Sequence, residues 1–459
     1  MNKKLYIQTY GCQMNQYDSD RIAQLMARRG YDQTDRIDSA DLILLNTCSV
    51  RDKAEQKVYS AVGGWKEFKQ FREGVIIGVG GCVAQQEGEK LLKRIPHLDL
   101  VFGTHNIHKL PAMIEEVEAD QGRPVEIDFY RDPAYMEDAD GATCVRGVKA
   151  FVTIMQGCNK VCSFCIVPHV RGRELSRPSA KIVAETESLV NRGVIDIMLL
   201  GQNVNSYGKL TSGELSFAEL LGQLDAIDGL ERIRFTTSHP QDLSPELTEA
   251  FAELSKLCEH LHLPVQSGSD TVLARMRRGY TREEYLERIL RLRDRCPVVA
   301  LSTDIIVGFP GETDAEFAQT LELLERLEYD EIYSFVYSPR PQTVSAKLYA
   351  DDIPQNIKKE RLTRVQALQR DITLKKNRRC IGNVEEILVD GPSRLKNGQL
   401  MGRSRGNRIV NVVGPADLVG RLVPVRITGA TATSLIAEVL SDKSSDKSNV
   451  NSQLERDRA

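Results

Sequence analysis

Three stretches of the N-terminal sequence repeat one pattern, in which an apolar run is followed by a cysteine and then by a helix-like stretch. The apolar runs cover residues 4–10, 41–46 and 74–79, and the cysteines after them are Cys12, Cys48 and Cys82. Continuous Val, Ile and Leu runs that alternate with helices predict a parallel sheet covered by helices. The cysteines lie 36 and 34 residues apart, about the length of one strand–helix unit. We therefore expect a parallel α/β domain over residues 1–125.

The three cysteines occupy equivalent places in this pattern. Ligands of open α/β sheets bind beyond the carboxyl ends of the strands, so Cys12, Cys48 and Cys82 should converge on one site. A helix that begins after each cysteine would lower the pKa of its thiol and favour an anionic metal cluster. The alternative is that they are three small core residues.

The middle of the chain predicts a second α/β arrangement. Residues 126–145, with Cys144, have no clear periodicity and are interpreted as a linker. Residues 146–372 then alternate strand-like and amphipathic helix-like stretches, which favours a partial (β/α)6 barrel with functional residues at the carboxyl ends of its strands. The six predicted strands are residues 150–155, 195–200, 233–237, 260–265, 300–307 and 332–337.

The C-terminal part has a different pattern. Short strands separated by Gly, Pro and Asn over residues 373–440 predict a small all-β barrel, and the polar residues 441–459 predict a disordered tail. Residues 353–440 contain 16 Lys and Arg against 7 Asp and Glu, a net charge of +9, whereas the whole chain carries −3 and the remainder therefore −12. A basic module on an acidic body indicates a polyanionic partner, most simply nucleic acid; a solvated charged face is the alternative. The predicted RNA phosphate contacts are Lys375, Lys376, Arg378, Arg379, Arg403, Arg405 and Arg408.

Cysteine usage indicates metal chemistry. The chain has ten cysteines, no apolar run of 18 residues and no N-terminal signal core, so we expect a cytoplasmic protein without a membrane span. Disulfides are rare in reducing compartments, and clustered cysteines there are more often metal ligands or catalytic groups. Cys258, Cys296 and Cys380 are scattered and are interpreted as structural thiols.

A second cysteine triad follows the first strand of the predicted barrel. Cys158, Cys162 and Cys165 have the spacing Cys-x3-Cys-x2-Cys, and three thiolates in one loop bind a soft metal centre. A [4Fe–4S] cluster usually takes four cysteines, so three would leave one iron open to a substrate. His169 lies four residues beyond Cys165, which leaves a Cys3His zinc site as the alternative.

This triad, with Gly157 before it and Phe164 within it, resembles the motif of the radical S-adenosylmethionine (SAM) superfamily. The resemblance implies that SAM chelates the open iron and is cleaved to a 5′-deoxyadenosyl radical, chemistry that belongs to the cofactor. The stretch Arg171-Gly172-Arg173-Glu174, just after the loop, could contact a carboxylate or phosphate or form a surface ion pair. The candidate SAM contacts at strand ends, each of which could instead be a hydrogen-bonded loop group, are Gln202, Ser238, Gln266 and Asp304.

The whole chain resembles the methylthiotransferase family. The resemblance rests on residues 9–15 (Thr-Tyr-Gly-Cys-Gln-Met-Asn), 46–51 and 80–86, on the radical SAM motif, and on a C-terminal barrel like the TRAM RNA-binding domain. Gln-Met-Asn at 13–15 and the stretch 200–207 resemble the branch that modifies tRNA. One departure is Arg-Pro-Gln-Thr-Val at 340–344, where the family more often has Gly-Thr after Arg-Pro.

The resemblance implies a function, which we state as an expectation. It implies 2-methylthiolation of N6-isopentenyladenosine at position 37 of tRNA, next to the anticodon, with SAM and two [4Fe–4S] clusters as cofactors. An auxiliary cluster would be held by Cys12, Cys48 and Cys82, and the radical SAM cluster by Cys158, Cys162 and Cys165. The same base must reach both clusters, so they should flank one cavity. The expected partners are tRNA, a reducing electron donor and a sulfur or cluster donor protein, but no membrane, and we expect a monomer.

Two other functions stay open from sequence alone. One is a methylthiotransferase that acts on a differently modified adenosine or on a protein. The other is a zinc-stabilised RNA-binding protein without redox chemistry. Metal content separates the second from the rest, and the identity of the modified nucleoside separates the first.

Overall fold

The computed structural model describes residues 2–49, 54–132, 136, 147–393 and 398–440. The tail 441–459 and most of the predicted linker, including Cys144, lie outside the described residues. The chain is an α/β protein whose contacts divide it into two compact units. The first unit contains residues 1–231, 235–237 and 338–348, and the second contains residues 232–234, 238–337 and 349–459. Both cysteine triads belong to the first unit.

The N-terminal part is a parallel sheet flanked by helices. Its strands are β1 (Lys3–Thr9), β2 (Tyr31–Gln33), β3 (Leu42–Thr47), β4 (Ile76–Gly81), β5 (Leu100–Phe102) and β6 (Val125–Glu126). The order across the sheet is β2-β1-β3-β4-β5-β6, with each neighbouring pair parallel. The helices are α1 (Gln13–Ala27), α2 (Ala54–Gly64), α3 (Lys66–Phe71), α4 (Cys82–Glu87), α5 (Glu89–Arg94) and α6 (Leu110–Glu118). The predicted parallel α/β fold is confirmed.

The central strands explain why this sheet is stable. All six residues of β3 and of β4 are buried, as expected for strands that are covered on both faces. Ile43 and Ile77 pack with Trp65 in the core on one face. Leu42 and Ile76 pack in the core on the other face. Alternate side chains of each strand therefore pack in two separate cores, one on each face of the sheet.

Three details differ from the sequence prediction. The sequence pattern after Cys12 predicts a helix from about Asp18 to Arg29, whereas helix α1 begins at Gln13. The pattern after Cys82 predicts one helix that reaches about Arg94, but Gly88, whose φ is 51°, ends α4 before α5 begins. Strands β2, β5 and β6 were not predicted, because two or three residues are too few to show a periodicity.

The middle of the chain alternates strands and helices. Its strands are β7 (Lys149–Thr153), β8 (Met155–Gln156), β9 (Leu175–Ser176), β10 (Asp196–Leu200), β11 (Arg232–Phe235), β12 (His260–His262), β13 (Ala300–Val307) and β14 (Glu331–Val336). Its helices are α7 (Val167–Val170), α8 (Ser179–Asn191), α9 (Phe217–Asp225), α10 (Pro245–Glu253), α11 (Asp270–Arg275), α12 (Arg282–Arg295), α13 (Asp314–Leu327), α14 (Val344–Leu348) and α15 (Gln355–Arg379). Each of the six predicted barrel strands is present and begins within one residue of its predicted start.

The strands of this region pair in parallel within each unit. In the first unit β7 pairs with β10, and the Thr236 N–H donates to the Leu199 carbonyl of β10. In the second unit β12, β13 and β14 form a parallel sheet in that order. Helices α12 and α13 each begin with a capping box, Thr281 with Glu284 and Thr313 with Glu316, which satisfies two backbone N–H groups at each start.

The C-terminal strands close into a small barrel, as predicted. They are β15 (Val384–Pro392), β16 (Gln399–Ser404), β17 (Ile409–Val413), β18 (Leu422–Ala430) and β19 (Leu435–Val439). Their order is β15-β16-β17-β19-β18, and β17 and β19 are parallel while the other neighbours are antiparallel. Alternate residues such as Val423, Val425 and Ile427 point into the barrel core. Among the described residues, no helix combines the length and apolar content that a bilayer crossing requires.

Candidate functional site

The N-terminal cysteines come together at the carboxyl edge of the sheet. Cys12 is the N-cap of α1, Cys48 follows β3, and Cys82 is the first residue of α4. The register pairs Thr9 with Asn46 and Thr47 with Gly81, so the three strands end level with one another. Cys12 and Cys48 share a side-chain hydrogen bond, and Cys82 feels the charge of Cys12. The three thiols are therefore neighbours, as the strand pattern predicts.

Two buried asparagines hold these strand ends together. The Asn15 Nδ2 group donates to Asn46 Oδ1 at 3.2 Å and to the Thr47 carbonyl at 2.9 Å. The Asn46 Nδ2 group donates to the Asn15 carbonyl at 2.8 Å and to Ser19 Oγ at 2.9 Å. Cys12 Sγ lies 3.4 Å from Asn15 Oδ1. The motifs contain both asparagines, but sequence reasoning gave them no role, since an amide can equally lie in a solvated turn.

Glycine is required beside the first cysteine. Gly11 has φ +139°, and a Cβ built on it would lie 2.6 Å from Cys48 Cβ and 2.5 Å from Asn15 Oδ1. No side chain fits in that space, and the backbone conformation is one that L residues rarely adopt. The Gly11–Cys12 pair therefore brings its thiol close to Cys48.

The thiols of this triad differ in their electrostatics. The hydrogen bond with Cys48 and the nearby Arg171 charge lower the pKa of Cys12 to about 6, although desolvation by the surrounding protein opposes them. Cys12 is the exposed member of the triad, whereas Cys48 and Cys82 are buried. Burial raises the pKa of Cys82, and Arg171 only partly opposes it. The expectation of a lowered thiol pKa is confirmed for Cys12 and is wrong for Cys82, because desolvation outweighs a helix N-terminus at a buried thiol.

Arg171 connects this triad to the loop that carries the second one. Its side chain is 3% exposed, and Nη2 donates to Asp18 Oδ2 at 2.7 Å. It also forms a hydrogen bond with the Cys82 thiol. The sequence left open a surface ion pair for Arg171; the structure shows a buried one.

The second triad is carried by a tight loop after β8. Cys158, Cys162 and Cys165 are all half-buried. The Cys165 N–H donates to the Cys162 carbonyl at 3.1 Å, and the Cys158 N–H donates to the Gly172 carbonyl at 3.2 Å. Burial raises the pKa of Cys158 to about 11, although the Lys160 N–H donates to its sulfur. These bonds shape the loop that carries the three thiols, and none of the three forms a disulfide within the described part of the chain.

Gly157 allows this loop to turn against the chain that follows it. Its φ is +79°, and an added Cβ would lie 2.0 Å from the Arg173 carbonyl oxygen. The Gly157 N–H donates to Gln202 Oε1 at 2.5 Å. Gln202, one of the candidate SAM contacts, therefore lies beside the cysteine loop.

The segment that departs from the family pattern also reaches the cysteine loop. The Ser345 N–H donates to the Ser163 carbonyl at 2.7 Å. Gln342 has φ +80°, and buried Thr343 Oγ1 donates to the Arg340 carbonyl at 2.8 Å. Since Ser163 lies between two of the cysteines, residues 340–345 support the loop without contributing a thiol.

The other three SAM candidates lie in the second unit. Ser238 is buried, and its Oγ has no hydrogen-bond partner in the described part of the chain. Gln266 is buried with φ +77°, and its N–H donates to the Asp304 carbonyl at 2.9 Å. The Asp304 carboxylate lies 3.5 Å from His262 Nε2. Gln266 and Asp304 are thus neighbours. Gln266 follows β12, but Asp304 lies inside β13, three residues before its end, so the prediction that it stands at a strand end is wrong.

The seven basic residues predicted to contact RNA fall into two groups. Lys376, Arg405 and Arg408 are mostly buried side chains that pair with carboxylates of the same unit: Lys376 and Arg408 with Asp330, and Arg405 with Glu259. Lys375 and Arg379 pair with Glu328 but keep 60% and 59% of their side chains exposed. Arg378 is exposed beside them, and the Arg403 side chain is 36% exposed.

The arrangement suits thiolate ligation of a cluster. Within the described ranges, no group of three or more His, Cys, Asp or Glu side chains is close enough to surround a single metal ion, and His169 is exposed on α7. The cysteines of a [4Fe–4S] cluster do not need to surround a single ion, because each of them binds a different iron. Three neighbouring thiols, a buried cation and a set of buried amides at one sheet edge fit an anionic cluster.

Three family models match separate parts of the chain. The model described as uncharacterized protein family UPF0004 matches residues 4–103, the Radical SAM superfamily model matches residues 152–324, and the TRAM domain model matches residues 378–440.

Curated relatives match over nearly the whole chain. The chain is 55% identical to a tRNA-2-methylthio-N(6)-dimethylallyladenosine synthase of Geobacter metallireducens, over 95% of this chain and 98% of the relative. It is 53% identical to a protein of the same name from Syntrophotalea carbinolica, over 95% and 99%.

Solved structures share the fold at low sequence identity. The radical S-adenosylmethionine methyltransferase TsrM from Kitasatospora setae, with cobalamin and a [4Fe–4S] cluster bound, has a TM-score of 0.56 and 15% identity, over 75% of this chain and 77% of that one. The cobalamin-dependent S-adenosylmethionine radical enzyme OxsB has a TM-score of 0.53 and 12% identity, over 80% and 56%.

Proposed function

Because the chain belongs to the family of tRNA-2-methylthio-N(6)-dimethylallyladenosine synthases, we propose that it is a radical SAM methylthiotransferase acting on tRNA. Its substrate is N6-isopentenyladenosine at position 37, and its product carries a methylthio group at C2 of that base. The observation that carries this proposal is the presence of two cysteine triads in one compact unit, joined by the segment that contains Arg171. One base can reach both sites only if the triads are close.

The cofactors are SAM and two [4Fe–4S] clusters. We assign the auxiliary cluster to Cys12, Cys48 and Cys82, and the radical SAM cluster to Cys158, Cys162 and Cys165. Each triad would supply three thiolate ligands, one fewer than such a cluster usually takes. The bound groups would supply a sulfur atom at one site and radical chemistry on SAM at the other. An aromatic C–H bond resists acid–base chemistry, which is the physical reason that the chain holds such groups.

The protein's own residues orient and enclose these groups. Gly157 and the Ser163–Ser345 hydrogen bond shape the loop of the second triad. The asparagine network keeps the first triad together. We assign SAM contacts to Gln202, Ser238, Gln266 and Asp304. Ser238 Oγ is the best supported of these four, because a buried hydroxyl without a partner is costly unless a ligand satisfies it.

The C-terminal barrel and the end of α15 bind the tRNA in this proposal. All seven basic residues remain predicted RNA contacts, and the exposure of their side chains indicates which can reach a phosphate most readily. Lys375, Arg378, Arg379 and Arg403 are accessible to phosphate, whereas Lys376, Arg405 and Arg408 first serve ion pairs within the second unit.

The remaining expectations belong to the same proposal. The protein acts as a monomer in the cytoplasm, where its tRNA substrate is found. Its partners are a reducing electron donor and a sulfur or cluster donor protein. Its domains are residues 1–125, 146–372 and 373–440, with a linker at 126–145 and a tail at 441–459. Each family model falls within one of these domains, although α15 runs through the boundary at 372.

Nucleoside mass spectrometry tests the activity. A strain that lacks this gene should accumulate isopentenyladenosine in tRNA without the 2-methylthio group, and the intact gene should restore it. The variants C12A, C48A and C82A should not restore it, whereas C296A, which removes a buried thiol outside both triads, should. Restoration by all three triad variants, or a methylthio mark on another nucleoside or on protein, would overturn the proposal.

Iron analysis tests the ligand assignment separately. Anaerobically prepared protein should lose about half of its iron and labile sulfide when either triad is replaced by alanine, and nearly all of it when both are. C258A and C296A serve as matched controls that keep full iron. A colourless protein with one zinc would instead support the zinc-stabilised RNA-binding alternative.

A further inference from the structure

A four-residue segment, residues 170–173, touches both cysteine triads. The Val170 carbonyl accepts from Thr104 Oγ1 at 2.7 Å, and the Arg171 carbonyl accepts from His105 Nε2 at 2.9 Å. The Gly172 carbonyl accepts from the Cys158 N–H at 3.2 Å. The backbone of this bridging segment is thus tied on one side to residues after β5 and on the other to the second triad.

The protonation state of His105 suits its hydrogen bond to the Arg171 carbonyl. Burial lowers its pKa to about 4, so the imidazole is neutral near pH 7 and carries one N–H. Its Nε2 faces a carbonyl and its Nδ1 accepts from the Tyr130 N–H at 3.3 Å. The proton is therefore on Nε2, since a carbonyl can only accept. Two hydrogen bonds, from Thr104 and His105, therefore hold the bridging segment to the residues after β5.

The bridging segment directs the Arg171 side chain to the first triad. The guanidinium donates to Asp18 at 2.7 Å and to Cys82, and its charge also acts on Cys12. Val170 packs in a buried cluster with Cys82 and Ile166. Asp18 lies on α1, the helix that Cys12 caps. One cation and one carboxylate are therefore buried at the first triad, and both are more than 90% removed from solvent.

A buried cation next to cluster thiolates has a definite electrostatic effect. A [4Fe–4S] cluster with three thiolate ligands is anionic, and its reduction adds one more negative charge. A nearby positive charge and a hydrogen bond to sulfur favour the reduced form, and both act strongly where the dielectric is low. A nearby carboxylate acts in the opposite direction.

We propose that Arg171 is a positioning residue that sets the reduction potential of the auxiliary cluster, with Asp18 as its opposing charge. The proposal rests on the proposed function, because it assumes that Cys12, Cys48 and Cys82 hold a [4Fe–4S] cluster. It assigns to a residue of the radical SAM loop an effect on the other metal centre. Arg171 acts through Cys82 and touches no substrate.

The experiment isolates the auxiliary cluster in the full-length chain. The parent protein carries C158A, C162A and C165A, which remove the second triad's thiols but keep the Cys158 N–H that donates to Gly172. R171Q, R171K, D18N and the R171Q/D18N double variant are made in this parent. Iron per chain is measured for each, and the midpoint potential is determined by anaerobic redox titration followed by electron paramagnetic resonance.

The expected shifts have opposite signs. R171Q should lower the midpoint potential, D18N should raise it, the double variant should lie between them, and R171K should stay closest to the parent because it keeps the charge. R171Q leaves the buried Asp18 carboxylate without its cation, which destabilises the site. If R171Q therefore loses its cluster, the other variants carry the test: R171K keeps the positive charge, D18N removes only the opposing charge, and the double variant removes both.

The failures of the two proposals are distinguishable. Parent protein without iron at the first triad overturns the proposed ligand assignment and this inference with it. An iron-loaded parent whose potential is the same in all variants overturns only the role of Arg171. Shifts of the same sign in R171Q and D18N, or loss of the cluster from every Arg171 and Asp18 variant, would show a purely structural ion pair and would also overturn it.

Discussion

Asn15 and Asn46 are joined by two reciprocal hydrogen bonds, one from each side-chain amide. The pair links helix α1 to the end of β3, just before Cys48. The Asn15 Nδ2 group donates to Asn46 Oδ1 at 3.2 Å, and the Asn46 Nδ2 group donates to the Asn15 carbonyl at 2.8 Å. Both residues are at most 1% exposed. Every buried amide group here has a protein partner, so the pair fixes the strand ends that carry the first triad.

Replacing Asn46 by alanine should destabilise the protein by about 3 kcal/mol, because it removes three buried hydrogen bonds and leaves one Asn15 Nδ2–H without its acceptor. It should also lower the iron content of protein that lacks the second triad's thiols. Urea unfolding and iron analysis measure the two effects. Asn191, exposed at the end of α8, is the control, and N191A should change neither. Wild-type stability of N46A would contradict the structural role of the network.

Gly157 and Gly193 offer a matched pair for the second triad. Both have positive φ, +79° and +91°, but an added Cβ meets the Arg173 carbonyl at 2.0 Å in the first and nothing within 4 Å in the second. G193A should cost about 1–2 kcal/mol from backbone strain alone. G157A should cost at least about 2 kcal/mol more from overpacking and should lose the iron of the second triad. Equal losses of stability and iron in the two variants would contradict the steric argument.

Neutralising the exposed basic residues should weaken tRNA binding and flatten its salt dependence. The triple variant K375Q/R378Q/R379Q removes three accessible charges at the end of α15. Each lost phosphate contact should reduce the slope of log affinity against log salt by about one. Filter binding at several salt concentrations measures the slope. K181Q, which removes an exposed charge from α8, should leave it unchanged, and an unchanged slope in the triple variant would contradict the proposed surface.

Replacing Gln342 by glycine should stabilise the protein. Gln342 has φ +80°, a conformation that costs a non-glycine residue about 1–2 kcal/mol, and glycine's own entropic cost of about 0.5–1 kcal/mol offsets part of this gain. The expected increase is therefore about 0.5–1 kcal/mol in the free energy of unfolding. Thermal unfolding of Q342G measures it, and destabilisation would show that the Gln342 side chain makes a larger contribution than its backbone strain removes.

The sequence predicts the long strands and the places of the cysteines well, because both follow from patterns along the chain. β13 matches its prediction at both ends, and the three strand–cysteine repeats lead to neighbouring thiols. The short strands β2, β5 and β6 carry no detectable period and were not predicted. The break of a predicted helix at Gly88 was also missed, since an isolated glycine in a helical pattern is compatible with a continuous helix.

The polar partners inside the site were harder to predict. Arg171 and Asp18 are 153 positions apart, and nothing in the local sequence indicates that they meet. The raised pKa of Cys82 depends on burial that only the fold creates. The basic C-terminal residues show the same limit, because their number is visible in the sequence but their carboxylate partners, such as Asp330 for Arg408, come from distant positions.

The ring of β15, β16, β17, β19 and β18 closes through the parallel pairing of β17 with β19. Unpaired backbone groups along a sheet edge are what allow one protein to extend the sheet of another. In a closed ring, the backbone N–H and C=O groups of every strand are paired with the neighbouring strands of the same barrel. The barrel therefore contacts a polymer such as tRNA through side chains. Substitutions on its surface can change this specificity without exposing an unpaired edge strand.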